Sequence, residues 1–274
     1  MTAFTVNLSP ELSARLKDWS VRSELPPEQP MKHENITCDD ILFGQVKLLQ
    51  PSNGPRVNMD TVLLADWVKI RSDTKKILEA GCASGAISLL LAMKNEKVQV
   101  TGIEIQNDIV NLAKANSVYN KLSDRVQFIA GDLRDKNLLP REYFDVLVIN
   151  PPYESLSAGR QSPDPSRSSA RLEISCTPDD VGELAFRVLK SNGRLFAVFK
   201  SERLDVFMST MRNHRIIPKR LRPVYPKKDS NSNSAVFLIE CVKNAGDGLS
   251  ILPPLFVRDD EGVYTQEIMK IYGK

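Results

Sequence analysis

The tetrapeptide Asn150-Pro151-Pro152-Tyr153 places an amide, two prolines and a phenol directly after the largely apolar run of residues 144–149. Prolines fix the backbone and carry no N–H, so the turn offers carbonyls without competing donors. The Asn150 side-chain oxygen and the Pro151 carbonyl can together accept both hydrogens of a planar amino group. The nitrogen of such a group has its lone pair delocalised. Accepting both hydrogens favours the pyramidal nitrogen, whose lone pair can attack an electrophile, so the contact acts mainly on the transition state. Tyr153 can stack on a base, as aromatic side chains do with unpaired bases. The plainer reading is a turn that closes a strand. It leaves unexplained the residues that fall in register with the motif.

Those residues begin with Leu78-Glu79-Ala80-Gly81-Cys82-Ala83-Ser84-Gly85, between a strand and a helix. Glycines there permit a tight turn and close backbone approach to a ligand. Glu104 closes the next strand, 23 residues after Gly81, and Asp132 closes the one after that. Ligands of open α/β sheets bind at the carboxyl ends of strands. At those ends Glu104 can accept two ribose hydroxyls and Asp132 an adenine amino group. A nicotinamide enzyme would share Glu104, but it requires G-x-G-x-x-G and has no need of the Asn-Pro-Pro-Tyr turn. The spacing of Gly81, Ala83 and Gly85, with alanine for the usual middle glycine, resembles the nucleotide loop of class I S-adenosylmethionine methyltransferases. The resemblance implies S-adenosyl-L-methionine as cofactor. Glu79 would lie near the ammonium of its methionine part, and Ile105 and Leu133 would also contact the cofactor. The electrophile is then a methyl sulfonium. The methylated nitrogen is cationic and sheds its proton readily, so no strong general base is needed.

A regular alternation of elements must position these groups. Periodicity predicts strands over residues 76–79, 98–104, 126–130, 144–149, 193–199, 216–225 and 235–242. Helices are predicted over 60–68, with Asp60 as cap, and over 86–93, 108–120, 178–190 and 203–214. The last two strands have no helix between them and are expected to be antiparallel. The fold class is α/β: a Rossmann-like, class I methyltransferase arrangement of seven mostly parallel strands, the last antiparallel, with helices on both faces. Residues 41–50 read as a strand or hairpin arm with a turn at 51–55. Residues 1–40 read as a partly flexible extension, with a short helix capped by Ser9, and residues 41–274 as one domain.

Of 274 residues, 42% are hydrophobic and 26% charged, which excludes a wholly disordered chain. No apolar stretch is long enough to span a bilayer, and no secretory signal is visible. Cys38, Cys82, Cys176 and Cys241 are widely spaced, so no metal site is expected and a reducing, cytoplasmic location is. The net charge of +3 hides an asymmetry: residues 187–228 hold twelve Lys and Arg against two acids. A local excess of this size suits a nucleic-acid partner, with Lys219, Arg220 and Arg222 as candidate phosphate contacts. A solvated basic face is the alternative.

Residues 39–272 resemble the bacterial tRNA(Val) adenine-N6 methyltransferase family. The resemblance rests on Phe43-Gly44-Gln45, Leu49-Gln50-Pro51 and Val57-Asn58-Met59-Asp60-Thr61-Val62-Leu63-Leu64-Ala65. It continues through Gly102-Ile103-Glu104-Ile105-Gln106, Asn150 to Tyr153, Ser169-Ala170-Arg171-Leu172-Glu173, Leu252-Pro253-Pro254-Leu255 and Tyr264-Thr265-Gln266-Glu267. It departs at Ala83, at Leu172, where the family has histidine, and in the arm before residue 39. It implies N6-methylation of the adenine beside the anticodon of tRNA(Val), tRNA as partner, and a cofactor contact from Asp60. Arg160, Arg167 and Arg171, in a Ser/Pro/Gly-rich loop, could meet phosphates or stack on bases. The same chemistry on ribosomal RNA guanine or adenine, DNA adenine or a protein glutamine is the rival. A catalytically silent nucleic-acid-binding protein of this fold is the non-enzyme alternative.

Overall fold

The computed structural model describes residues 36–42, 44–52, 56–151, 176–228 and 233–273. The chain runs β1 (Ile36–Ile41), β2 (Val46–Pro51), α1 (Met59–Trp67), β3 (Lys76–Ala80), α2 (Ala86–Lys94), β4 (Gln99–Glu104), α3 (Asn107–Tyr119), β5 (Val126–Ala130) and β6 (Phe144–Ile149). It continues with α4 (Pro178–Val188), β7 (Leu189–Lys200), a 3-10 turn (Ser201–Arg203), α5 (Leu204–Asn213), β8 (Ile216–Lys227), β9 (Val236–Lys243), β10 (Ser250–Ile251), β11 (Leu255–Arg258) and α6 (Gln266–Ile271).

β3 lies between β4 and β6, β5 is outside β4, and β7 is outside β6, all parallel. β9 inserts between β7 and β8 and is antiparallel to both. The seven expected strands are therefore present, with the last of them reversed. Two short strands, β10 and β11, extend the sheet beyond expectation by pairing parallel with β8. They are interrupted by Pro253 and Pro254, which lack the N–H a continuous ladder requires.

Both faces of the central strands are covered, which is why β6 is buried almost throughout and its apolar run does not alternate. On one face Leu63, Leu64, Ile87, Leu91, Val110 and Ala113 of α1, α2 and α3 pack on Val146, Val148 and Val198. On the other, Val181, Leu184, Phe207 and Met211 of α4 and α5 pack on Leu147, Leu195 and Ile239. α4 starts at a capping box: Thr177 and Asp180 exchange bonds and Pro178 opens the first turn.

Three boundaries differ from expectation. α4 ends at Val188 and β7 begins at Leu189, because Gly193 does not break the strand. α1 is capped by Asn58, whose side-chain oxygen accepts the Thr61 N–H at 3.0 Å, and Asp60 falls inside the first turn. The β1–β2 hairpin begins at Ile36, within the segment read as an extension. The helix placed after Ser9 lies outside the described residues. Among the described residues no helix is long and apolar enough to cross a membrane.

Candidate active site

The carboxyl ends of β3, β4, β5 and β6 converge on a cavity of about 250 Å³. The loop after β3 forms one wall. It is pinned to β4 by the Gly81 and Cys82 N–H groups, which both bond the Ile103 carbonyl at 2.9 and 3.0 Å. Gly85 turns into α2 at φ +87°, and a Cβ there would meet the Phe128 ring at 2.5 Å. That position admits only glycine. Ala83 sits at φ +45°, in the left-handed region that a side chain disfavours.

Glu79, on β3, is buried against the loop and accepts both the N–H and the hydroxyl of Ser88 from α2. Burial pushes its pKa up to about 8; the Ser88 bonds oppose this and the Glu104 charge adds to it. Glu104, also buried, is held in a fixed orientation. One oxygen accepts the Ala83 N–H and the other the Gln106 N–H, each at 3.1 Å. Its carboxylate thus spans the gap between the glycine loop and the loop after β4. Ile105 and Leu133, both expected to contact the cofactor, line the same cavity.

Asp132 also lines it, already engaged. The Arg134 guanidinium bonds both carboxylate oxygens, Nε at 2.9 Å and Nη2 at 2.5 Å, and the Arg134 backbone N–H adds a third donor. The Arg134 side-chain bonds hold the Asp132 carboxyl below its usual range. An adenine amino group would share this carboxylate with Arg134. Asn150 and Pro151 close the cavity from the end of β6. The sequence therefore located Glu79, Gly81, Ala83, Glu104, Ile105, Asp132, Leu133, Asn150 and Pro151 around one space. Gly85 shapes the loop from behind. Pro152, Tyr153, Arg160, Arg167 and Arg171 lie outside the described residues.

Asp60 is the exception among the cofactor candidates. It is not among the lining residues, whereas its neighbours Val57 and Thr61 are. Burial raises the Tyr272 hydroxyl above its usual value, and the nearby charges of Tyr264 and Asp60 add to this. Sequence reasoning also passed over Arg56, Arg134 and Cys176, which line the cavity. For Arg134 a signal existed in the Asp-x-Arg spacing after β5. Burial keeps the lining cysteines as thiols, with Cys176 pushed up to about 12, so neither is a ready nucleophile.

The basic stretch is redistributed by folding. Arg187 and Arg194 are buried and bond backbone carbonyls of the Leu133–Lys136 and Lys69 segments. Arg220 pairs with buried Glu240 at 2.6 Å and lies over the Trp67 ring. Arg222 grips Glu267 through two bonds, and Lys219 bonds the carbonyls of Gly246 and Asp247. The three residues chosen as phosphate contacts are thus bound to internal partners, and none lines the cavity. Of the twelve cations, Arg187, Arg194, Lys219, Arg220 and Arg222 thus hold partners within the chain, the Lys219 and Arg222 bonds lying at the surface.

A methyltransferase domain model matches residues 71–224. A Porphyromonas gingivalis protein named tRNA1(Val) (adenine(37)-N6)-methyltransferase is 26% identical over 242 residues, covering 86% of this chain and 94% of its own. A Flavobacterium psychrophilum protein of the same name is 24% identical, covering 84% and 95%. Among solved structures, a predicted O-methyltransferase, protein Atu636 from Agrobacterium tumefaciens, superposes with a TM-score of 0.64 at 18% identity, over 78% of this chain and 95% of that one. That likeness carries the fold alone. The domain match spans more than half of the chain and contains the glycine loop, the three strand-end acids and Asn150, so the chain belongs to the methyltransferase domain family.

Proposed function

We propose that this protein transfers a methyl group from S-adenosylmethionine to N6 of an adenine in tRNA, the adenine beside the anticodon of tRNA(Val) being the first candidate. The observation that carries the reading is Asn150-Pro151 at the end of β6, opening into the cavity that Glu79, Glu104 and Asp132 also line. The relatives named for this activity support the choice of substrate.

The residues present fit the cofactor. Glu79 is a buried carboxylate beside a loop whose Gly81 leaves open space for a ligand. The fixed Glu104 carboxylate suits a ribose diol and Asp132 an amino group. When bound, S-adenosylmethionine supplies an electrophilic methyl on a sulfonium. Asn150 and the Pro151 carbonyl hold the adenine amino group by its two hydrogens and turn its lone pair toward that methyl. Tyr153 supplies a stacking ring in this reading. After transfer the nitrogen carries a positive charge and its proton passes to solvent. Neither step demands a metal or a strong base. The same reading sets the protein in the cytoplasm, with a catalytic domain that includes the β1–β2 hairpin from Ile36 onward.

The test is incubation of the full chain with S-adenosylmethionine and either total tRNA or ribosomal RNA, followed by nucleoside analysis. N6-methyladenosine in the tRNA alone is the expected product. N2-methylguanosine, or methylation confined to ribosomal RNA, would overturn the substrate assignment.

A further inference from the structure

The β1–β2 hairpin lies outside residues 71–224, yet it is tied to two walls of the cavity. On one side it docks on α3 through two asparagines one helical turn apart. Asn116 is fully buried. Its oxygen accepts the Leu49 N–H at 2.7 Å, and its nitrogen donates to the carbonyls of Leu49 and Ser84, both at 2.9 Å. Asn120 repeats the exchange with Lys47, accepting its N–H at 3.1 Å and donating to its carbonyl at 2.7 Å. The two side-chain amides treat β2 as a neighbouring strand would, bonding alternate residues through both N–H and C=O. Ser84 belongs to the glycine loop, so Asn116 joins hairpin and loop with a single amide.

On the other side the hairpin holds residues 56 and 57. Gln50, buried, accepts the Val57 N–H at 2.6 Å and donates to Asp39 at 2.8 Å. Asp39 takes the Arg56 guanidinium at 2.7 Å, and Thr37 and the Pro51 carbonyl accept its other Nη at 2.9 and 3.1 Å. Every one of these partners is on the hairpin. Arg56 is thereby fixed where it lines the cavity.

The charges of the cavity give this arrangement its meaning. Among the described lining residues the acids are Glu79, Glu104 and Asp132, and the cations are Arg56 and Arg134. Arg134 stands after β5 and chelates Asp132, two strand spacings, about 10 Å, from β3 and Glu79. The amino-acid end of S-adenosylmethionine is a zwitterion. Glu79 answers its ammonium; its carboxylate needs a cation on the facing wall. Arg56 comes from the segment leading into α1, which packs on α2, the helix that starts at the glycine loop.

We propose that the β1–β2 hairpin completes the cofactor cavity and that Arg56, which it carries, receives the carboxylate of the cofactor's amino-acid end. Asp39, Gln50 and Asn116 act through it as positioning residues. The proposal rests on the cofactor reading above and assigns to the chain a contact outside the matched domain.

Two ligands separate the roles: S-adenosylhomocysteine carries the amino-acid end, and 5′-methylthioadenosine has the same nucleoside and thioether without it. Calorimetry on the full chain should show Arg56→Met weakening S-adenosylhomocysteine tenfold or more while 5′-methylthioadenosine stays within twofold of wild type. Asp39→Asn, which loosens the grip on Arg56 but keeps its charge, should weaken S-adenosylhomocysteine less and again spare the shorter ligand. Equal losses for both ligands in these two variants would make the hairpin merely structural and overturn the assignment. So would an unchanged affinity for S-adenosylhomocysteine in Arg56→Met. If wild type binds neither ligand, the cofactor reading itself falls, and this proposal with it.

Discussion

If Glu79 receives the cofactor's ammonium as proposed, cofactor binding releases a proton. In the unliganded cavity its carboxyl has a pKa of about 8, because burial penalises the ionised form and Glu104 repels it. At pH 7 a group with that value is about 90% protonated. The cofactor's ammonium favours the carboxylate, so binding at pH 7 should expel about 0.9 proton, falling to about 0.5 at pH 8. Calorimetric titration with S-adenosylhomocysteine in buffers of different ionisation enthalpy measures the number as a slope. Glu79→Gln supplies the reference, because it keeps an acceptor for the Ser88 bonds and has no proton to lose. The same residue has a consequence for stability. Its folded pKa lies above the unfolded value of 4.5, so its favourable contribution is complete below pH 4.5 and is lost as pH rises through about 8. The melting temperature of unliganded wild type should therefore drop relative to Glu79→Gln across that window, and ligand should remove the difference. A proton number near zero at pH 7, or one shared by the glutamine variant, would refute the reasoning.

Asn150→Ala should leave the dissociation constant for S-adenosylhomocysteine within a few-fold of wild type and lower kcat by about 1000-fold or more, since the lost acceptor acts in the transition state; single-turnover methyl transfer checks it, and near-normal turnover would exclude the amide as the nucleophile's clamp. Ala83→Gly should stabilise the chain by about 1 kcal/mol, because φ +45° costs alanine and not glycine; a thermal melt should rise by about 2–4 °C. Arg220→Met should lower the melting temperature, since it removes a 2.6 Å partner from buried Glu240. It should leave the salt dependence of tRNA binding at the wild-type slope, because that guanidinium is occupied internally; a shallower slope would return Arg220 to the RNA surface.

The glycine loop, the strand-end acids and Asn150 were legible in the sequence for one physical reason. Each follows a strand whose apolar run announces it, and a parallel sheet brings all strand ends with that polarity to one edge. Local pattern and global position coincide there. Asp60 fails the same test because a helix start leaves several candidates for the cap, and three positions bear capping-type side chains: Asn58, Asp60 and Thr61. Asn58 caps, and the buried side of the helix carries Thr61, which lines the cavity, while Asp60 does not. Arg56 was hidden more deeply. Nothing in its neighbourhood marks it; its placement depends on Asp39 and Gln50 across the hairpin, a pairing set by strand register.

The basic stretch shows how charge and position can separate. Twelve cations between residues 187 and 228 look like a footprint for a polyanion, but the elements that carry them are the last to close the sheet. Glu240 on β9 illustrates the consequence. It is 3% exposed, in the middle of an antiparallel strand, and takes Arg220 from β8 at 2.6 Å and Arg194 from β7 at 3.8 Å. A carboxyl group at that depth needs polar partners, and here two arginines supply them. In the main sheet, among the described residues, β9 runs against both of its neighbours, and its carboxylate meets an arginine from each. Reversing either charge would leave Glu240 one cation short beside a new negative charge, so these two arginines serve the packing of β9. Any phosphate track must then be sought among cations that the closing strands do not consume, and the sequence alone cannot distinguish the two kinds, because both are written with the same letters at the same density.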